Sequence, residues 1–100
     1  MTGPRVTIRL DKWLWHARFF KTRGLATAEV AAGHVRVNGT RTEKPAYAVG
    51  AGDTLTFPQG AELRLIRILQ TAPRRGSAPE AQQLYLDLDL PPVAALSPLE

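Results

Sequence analysis

The apolar periodicity of this chain changes from helical to alternating at Gly33, and that change limits the folds open to it. Upstream, Leu10, Trp13, Leu14 and Ala17 recur at i, i+3, i+4 and i+7, one stripe of a helix expected from Arg9 to Phe20. The pattern breaks at Lys21-Thr22. Thr22 is a suitable N-cap for a second helix, because its hydroxyl accepts an orphan backbone N–H. Leu25, Ala26 and Val30 are expected on the buried side of that helix, and Gly33 ends it in the left-handed conformation. Downstream the period is two. Val35 and Val37 alternate with His34, Arg36 and Asn38, and Asn38-Gly39 is a strong hairpin signal, since both tolerate the positive φ of a type I′ turn. A partner strand follows over Thr40 to Glu43, and Pro45 disfavours its continuation. A turn at Gly50, Gly52 and Asp53 leads to a strand through Leu55 and Phe57. Pro58-Gln59-Gly60 then turns the chain into Glu62–Leu69, whose alternation slips near Ile66 and suggests a bulge. Two short helices followed by a small, mostly antiparallel sheet make an α+β domain.

The remaining segment differs in character. APRRGSAPE reads as a polar linker, Ser77 and Glu80 have capping-box spacing, and Ala81, Leu84, Tyr85 and Leu88 predict a helix of two to three turns. From about Leu90 onward the chain is proline-rich and is expected to be a flexible tail. The organisation predicted is a leader over 1–8, a domain over 9–72, and a linker, short helix and tail over 73–100. At 100 residues there is room for one domain. No apolar run approaches a membrane span and the N-terminus lacks a signal core, so a protein that touches no membrane is expected.

Charge is unevenly shared. Residues 1–50 hold nine Lys or Arg and three acids, a balance of +6, whereas residues 51–100 hold four and six, a balance of −2. A basic half joined to a mildly acidic one suggests a polyanion partner on one side. Catalytic chemistry is poorly provided for. Ser77 and Ser97 lie in the linker and tail, and His16 and His34 are the only imidazoles. His16 falls off the apolar stripe and His34 sits at a helix-to-strand junction, so both are expected in surface or RNA-contacting roles. With no cysteine, no clustered acids and no phosphate-binding loop, neither a metal nor a cofactor nor an enzymatic activity is expected. The absence of cysteine also fits a reducing cytoplasm.

Residues 9–57 resemble the S4-type RNA-binding domain. The resemblance is carried by Arg-Leu-Asp-Lys at the start of the first helix, Thr-Arg opening the second, the Gly-x-Val-x-Val-Asn-Gly run, and Gly-Asp before a strand. DKWLWHARFFKTR and the later RRGSAPEAQQLY are similar to the heat-shock protein 15 group of ribosome-associated proteins. The chain departs from the pattern at Glu29, where an apolar residue is usual, and in its proline-rich final stretch, where better-known members carry a basic extension. The resemblance implies an S4-like fold (the alpha-L motif) and a partner among structured RNAs: ribosomal RNA of the large subunit, in quality control or stress response.

The residues themselves allow that function. The joint at Lys21, Thr22 and Arg23 places two cations at a helix N-terminus, whose unpaired N–H groups and partial positive charge favour phosphate. Arg9, Lys12 and Arg18 extend the basic face along the first helix, and Arg36, Asn38, Arg41 and Lys44 extend it over the hairpin. Simpler roles stand beside these: Arg9 or Lys12 pairing with Asp11, edge protection by Arg36 and Arg41, turn formation by Asn38. Trp13 belongs to the core. Trp15 and Phe19 leave the stripe and either stack on bases or bury against the C-terminal helix, with burial favoured. A monomer is expected. Two other functions compete: a protein-interaction module using Trp15, Phe19 and the C-terminal apolar stripe, and a general nucleic-acid binder that also takes DNA.

Overall fold

A computed structural model describes residues 6–88 of the chain. Residues 1–5 of the expected leader, and the expected tail from 89 onward, lie outside the described residues. Helix α1 (Leu10–His16) buries the predicted stripe of Leu10, Trp13, Leu14 and Ala17. It stops short of Phe20 because the chain turns at Arg18, which has φ 65°. Arg18 N–H donates to the Trp15 carbonyl at 3.0 Å and Phe19 N–H to the Leu14 carbonyl at 3.1 Å. These are the paired bonds of a Schellman ending, with arginine where glycine is usual, at a conformational cost of roughly 1–2 kcal/mol. The break turns Phe19, which a continued helix would hold off the stripe, into the core against Trp13, Phe57 and Tyr85.

Helix α2 (Arg23–Ala31) begins as expected, the Thr22 hydroxyl accepting the Leu25 N–H at 3.1 Å. Ala26 and Val30 are buried against α1, but Leu25 is 53% exposed, contrary to expectation. The contact face of so short a helix is one narrow stripe, and Leu25 stands about 100° around the axis from Ala26. Gly33 closes the helix with φ 82°, its N–H and that of His34 taking the Val30 and Glu29 carbonyls. Glu29 is half-buried and meets His34 Nδ1 at 2.9 Å.

Strand β1 (Thr7–Arg9) pairs with β4 (Ala48–Gly50) in a small sheet of its own. The main sheet is antiparallel, in the order β3 (Thr40–Thr42), β2 (Val35–Val37), β5 (Thr54–Gln59), β6 (Glu62–Ile68), β7 (Tyr85–Asp87). Asn38 and Gly39, with φ of 52° and 87°, form the predicted type I′ turn. The expected bulge near Ile66 is absent, since β5 and β6 pair without interruption from Thr54↔Arg67 to Gln59↔Glu62. Ile66 and Ile68 face inward while Leu63 and Leu65 face outward, so the irregular alternation reflects apolar residues on both faces. Nor does Pro58 turn the chain. It lies within β5, which β2 flanks only at Leu55 and Thr56, and the turn falls at Gly60-Ala61.

The C-terminal expectation needs the largest correction. Helix α3 is a single turn (Ala78–Ala81) with the predicted capping box between Ser77 and Glu80. Tyr85, expected on its stripe, instead starts β7, pairing Ile68↔Tyr85, Arg67↔Leu86 and Ile66↔Asp87. Leu84, Leu86 and Leu88 have period two as well as partial helical spacing, and the edge of β6 captures the extended form. An Arg64–Asp87 ion pair at 2.7 Å joins the two strands. The core gathers residues of α1, α2, both sheets and Leu84 around Trp13.

Candidate nucleic-acid interface

Asp11 organises the first group of candidate cations. It is 1% exposed, and its carboxylate accepts from Arg9 Nε and Nη2 at 3.1 and 3.0 Å and from Thr27 Oγ1 at 2.8 Å, with Arg23 Nε 3.9 Å away. Burial opposes its charged form. The hydrogen bonds from Arg9 and Thr27 and the charges of Arg9 and Arg23 outweigh that, and they hold its carboxyl below the usual range. Arg9, preceding α1, and Arg23, opening α2, are thereby brought to one place while each stays substantially solvent-exposed.

The N-terminus of α1 needs no side-chain cap, because Leu10 and Asp11 donate their N–H groups to the Tyr47 and Pro45 carbonyls at 2.9 and 3.1 Å. That contact sets Lys44, which precedes Pro45, beside the Arg9–Asp11 end. At the N-terminus of α2, the Thr22 hydroxyl is engaged in capping, and Lys21 and Thr22 are exposed beside Arg23.

The hairpin supplies the second group. Arg36 and Arg41 are direct register partners on the outward face, a like-charge pairing that disfavours the strand pair on its own. Arg36 Nη1 donates to the Gly39 carbonyl at 3.3 Å, and Arg41 pairs with Glu43 at 3.0 Å. A Cβ on Gly33 would approach Glu43 Oε2 to 3.2 Å and Arg41 Nε to 3.3 Å, so this pair lies over the end of α2. Residues 41–45 therefore run from the C-terminal end of α2 to the start of α1. Arg9 and Arg23 thus meet at Asp11, with Lys21 adjoining Arg23 and Lys44 preceding Pro45, while Arg36 and Arg41 face each other on the hairpin and Arg41 reaches the end of α2. The nine residues of α2 span about 13 Å, at 1.5 Å per residue.

Three sequence candidates fall outside these groups or are engaged by the fold. Arg18 Nε donates to the Gly76 carbonyl at 2.7 Å, which turns the side chain toward the linker before α3. Lys12 borders a groove formed with Val6–Ile8 and Thr71–Pro73. Both ends of the Asn38 amide serve the turn: Nδ2 donates to Asp53 at 3.0 Å, and Oδ1 accepts the Thr54 N–H at 2.9 Å.

The linker itself is strapped along α1. Trp13 Nε1 donates to the Gln70 carbonyl at 2.9 Å, His16 Nδ1 lies 3.1 Å from the Ala72 carbonyl, and Arg75 Nε donates to the Trp15 carbonyl at 3.0 Å. His16, expected at the surface, is 1% exposed. Desolvation lowers its pKa, the bond to Ala72 opposes this, and the charges of Lys12, Arg23 and Arg75 lower it further. The Arg75 guanidinium covers the Trp15 ring at 5.5 Å and Phe19 is buried, so the exposed aromatics that a protein-interaction module would use are largely covered. Sequence reasoning offered Asp11 only as a partner of Arg9 or Lys12, and it passed over Arg75. The Arg-Leu-Asp run held a signal for Asp11, whereas the partners of Arg75 lie 55 and 60 residues away. Among the described residues no group of three His, Cys, Asp or Glu is placed to hold a metal ion, and no helix is long and apolar enough to cross a membrane.

The model of the S4 domain family matches residues 8–55. A heat shock protein 15 homolog of Aeromonas salmonicida is 51% identical over 88 residues, covering 85% of this chain and 66% of that protein. Small ribosomal subunit protein uS4 of Methylobacterium radiotolerans is 33% identical over 81 residues, covering 81% of this chain and 38% of its own length. The chain thus spans just under two thirds of the Aeromonas protein and a smaller part of the ribosomal one. The solved heat shock protein 15 of Vibrio cholerae, described as trimeric, superposes with a TM-score of 0.79 at 46% identity, covering 84% of each chain.

Proposed function

The chain belongs to the S4 domain family, within its heat shock protein 15 group, and from that premise we propose that it is a non-catalytic protein that binds structured RNA. What supports this reading is the gathering of Arg9 and Arg23 at Asp11, where the first helix begins, with Lys21 and Lys44 adjoining them in the chain, and the facing pair of Arg36 and Arg41 on the hairpin. Guanidinium groups held at a helix start and along a hairpin suit phosphate oxygens by charge and by geometry. Among the described residues Tyr47 is the one aromatic ring exposed near the start of α1, and a single ring is no platform for stacking bases, so recognition rests on backbone shape rather than on sequence. Thr22, Lys12, Arg18 and Asn38 have supporting parts: Thr22 and Asn38 by shaping the elements that carry the cations, Lys12 and Arg18 at the flanks.

Within this reading the RNA is ribosomal, and the setting is quality control or the stress response. The heat shock name of the similar proteins and the ribosomal name of a more distant one support it. The large subunit is the proposed site. Association of copies, as in the Vibrio cholerae protein, is carried over to this chain in place of the monomer expected from sequence.

Titration of a hairpin RNA against salt tests the mechanism. With about five or six phosphate contacts, log K against log salt falls with a slope of roughly −4 to −5. Charge reversal of Arg23 and Arg36 together weakens all structured RNAs alike. A slope near zero, or loss of affinity for one sequence alone, overturns it. Crosslinking in cells followed by sequencing of the attached RNA tests the ribosomal assignment, with small-subunit RNA the outcome that excludes the large subunit. Competition between duplex DNA and hairpin RNA decides against a general nucleic-acid binder if DNA fails to compete.

A further inference from the structure

The main sheet has one face on the core and one in solvent, and the solvent face is not uniform. Inward-facing Val37, Leu55 and Ile66 fix which residues point outward beside them. One outward row crosses Arg41, Arg36, Thr56 and Leu65, and the next crosses Thr54, Arg67 and Leu86. Strands β2, β3 and β5 obey the ordinary rule for a half-solvated antiparallel sheet, placing arginine and threonine outside. Strands β6 and β7 break it. Leu63, Leu65 and Leu86 stand outside at 65%, 37% and 48% exposure, and Leu69 follows at the end of β6. Arg67 lies among them, and no described carboxylate pairs with it. Adjoining exposed leucines around an arginine mark a protein contact rather than a solubilising surface.

We propose that the outward face of β6 and β7, centred on Leu65, Arg67 and Leu86, is the surface through which copies of this chain associate. The inference rests on the reading of association stated above and goes beyond it by naming the face. Three observations select a second copy as the occupant. The solved relative described as trimeric matches this fold over 84% of both chains. The leucine-rich end of the face offers one cation, a poor match for RNA, in contrast to the paired Arg36 and Arg41 at its other end. Residues 51–100 carry six acids against four basic residues, so a neighbouring copy brings carboxylates to Arg67, which pairs with none among the described residues. In a cyclic trimer each interface joins two different patches, so this face meets a different surface of the next copy.

Light-scattering mass measurements of the full chain, from low to high micromolar, test the proposal. The wild type is expected to associate, and Leu65→Lys with Leu86→Lys to weaken association by more than about tenfold. Leu25→Lys, which alters an exposed leucine on α2, leaves the mass unchanged. If the double variant associates like the wild type, the face is wrong while association stands. If the wild type is monomeric throughout, association and the face both fail and the RNA reading is untouched. Should the double variant unfold, a dye on the single cysteine of Leu65→Cys serves instead, because the chain has no cysteine of its own. Emission that shifts to the blue with rising protein concentration supports the proposal, and emission independent of concentration overturns it.

Discussion

The Thr27 hydroxyl donates to Asp11 Oδ2 at 2.8 Å, joining the second turn of α2 to the first turn of α1 through a carboxylate that also holds Arg9. One buried acid therefore sets the relative position of two helices and the direction of two arginines on the proposed RNA face. Its presence within a basic surface follows from this: a free guanidinium must be ordered at an entropic cost on binding, and Asp11 has already ordered two.

Asp11→Asn preserves shape and removes the charge. Loss of the charge-assisted bonds destabilises the fold by about 1–3 kcal/mol. Hairpin-RNA affinity falls several-fold even though the net charge rises by one. A rise in affinity instead shows that summed charge, not orientation, governs binding. The substitution also alters acid sensitivity. The Asp11 carboxyl sits below its ordinary value of 3.8 in the folded state, so the unfolded chain binds the proton first. The stability that Asp11 contributes is complete above that value and is lost as pH falls through the folded one. Urea midpoints measured across this window flatten in the variant.

His16 governs a separate pH range. Its folded pKa lies below the ordinary 6.5, so between the two values the unfolded chain carries the extra proton. Stability is complete above pH 6.5 and declines as pH is lowered from there toward the folded value. His16→Asn keeps a donor for the Ala72 carbonyl and removes the titration. Thermal melts of the wild type slope across this interval, and those of the variant do not.

Gly33→Ala probes the junction of α2 with the hairpin. The left-handed φ of 82° penalises any side chain by roughly 1–2 kcal/mol, and the added Cβ presses on Arg41 and Glu43. The expected result is a lower Tm together with weaker RNA binding, because Arg41 is displaced. Unchanged affinity at temperatures where the variant is fully folded removes Arg41 from the RNA face.

Arg75→Ala releases the linker strap. Lost bonds to the Trp15 and Phe20 carbonyls and the lost ring contact cost about 1–2 kcal/mol together. Hydrogen exchange accelerates over residues 71–77, and the emission of Trp15 shifts to longer wavelength as its ring meets water. Arg75→Lys restores only part of this, since an ammonium cannot reach two carbonyls and the ring at once.

Features whose causes lie within a few residues were legible from the amino-acid order. The change of period at Gly33, the Thr22 cap, the Asn38-Gly39 turn and the Ser77–Glu80 capping box are all local, and each appears in the structure at its predicted place. The basic character of the first half was equally legible, and with it the residues on which the proposed RNA face draws. Arg18 shows where local reasoning ends. No propensity of arginine announces a left-handed helix ending, and the chain adopts it because burial of Phe19 and a carbonyl at Gly76 reward it.

By itself the sequence determined the two helices and the hairpin that follows them, their order and caps, and the sign of the surface. Tertiary structure alone decided that His16 is interior, that Tyr85–Asp87 is a strand, and that Asp11 gathers Arg9 and Arg23. The physical reason is distance along the chain. A cap or a type I′ turn is stabilised by neighbours in sequence, whereas β7 needs the edge of β6, and His16 needs a carbonyl 56 residues away. Those partners exist only once the chain has closed upon itself.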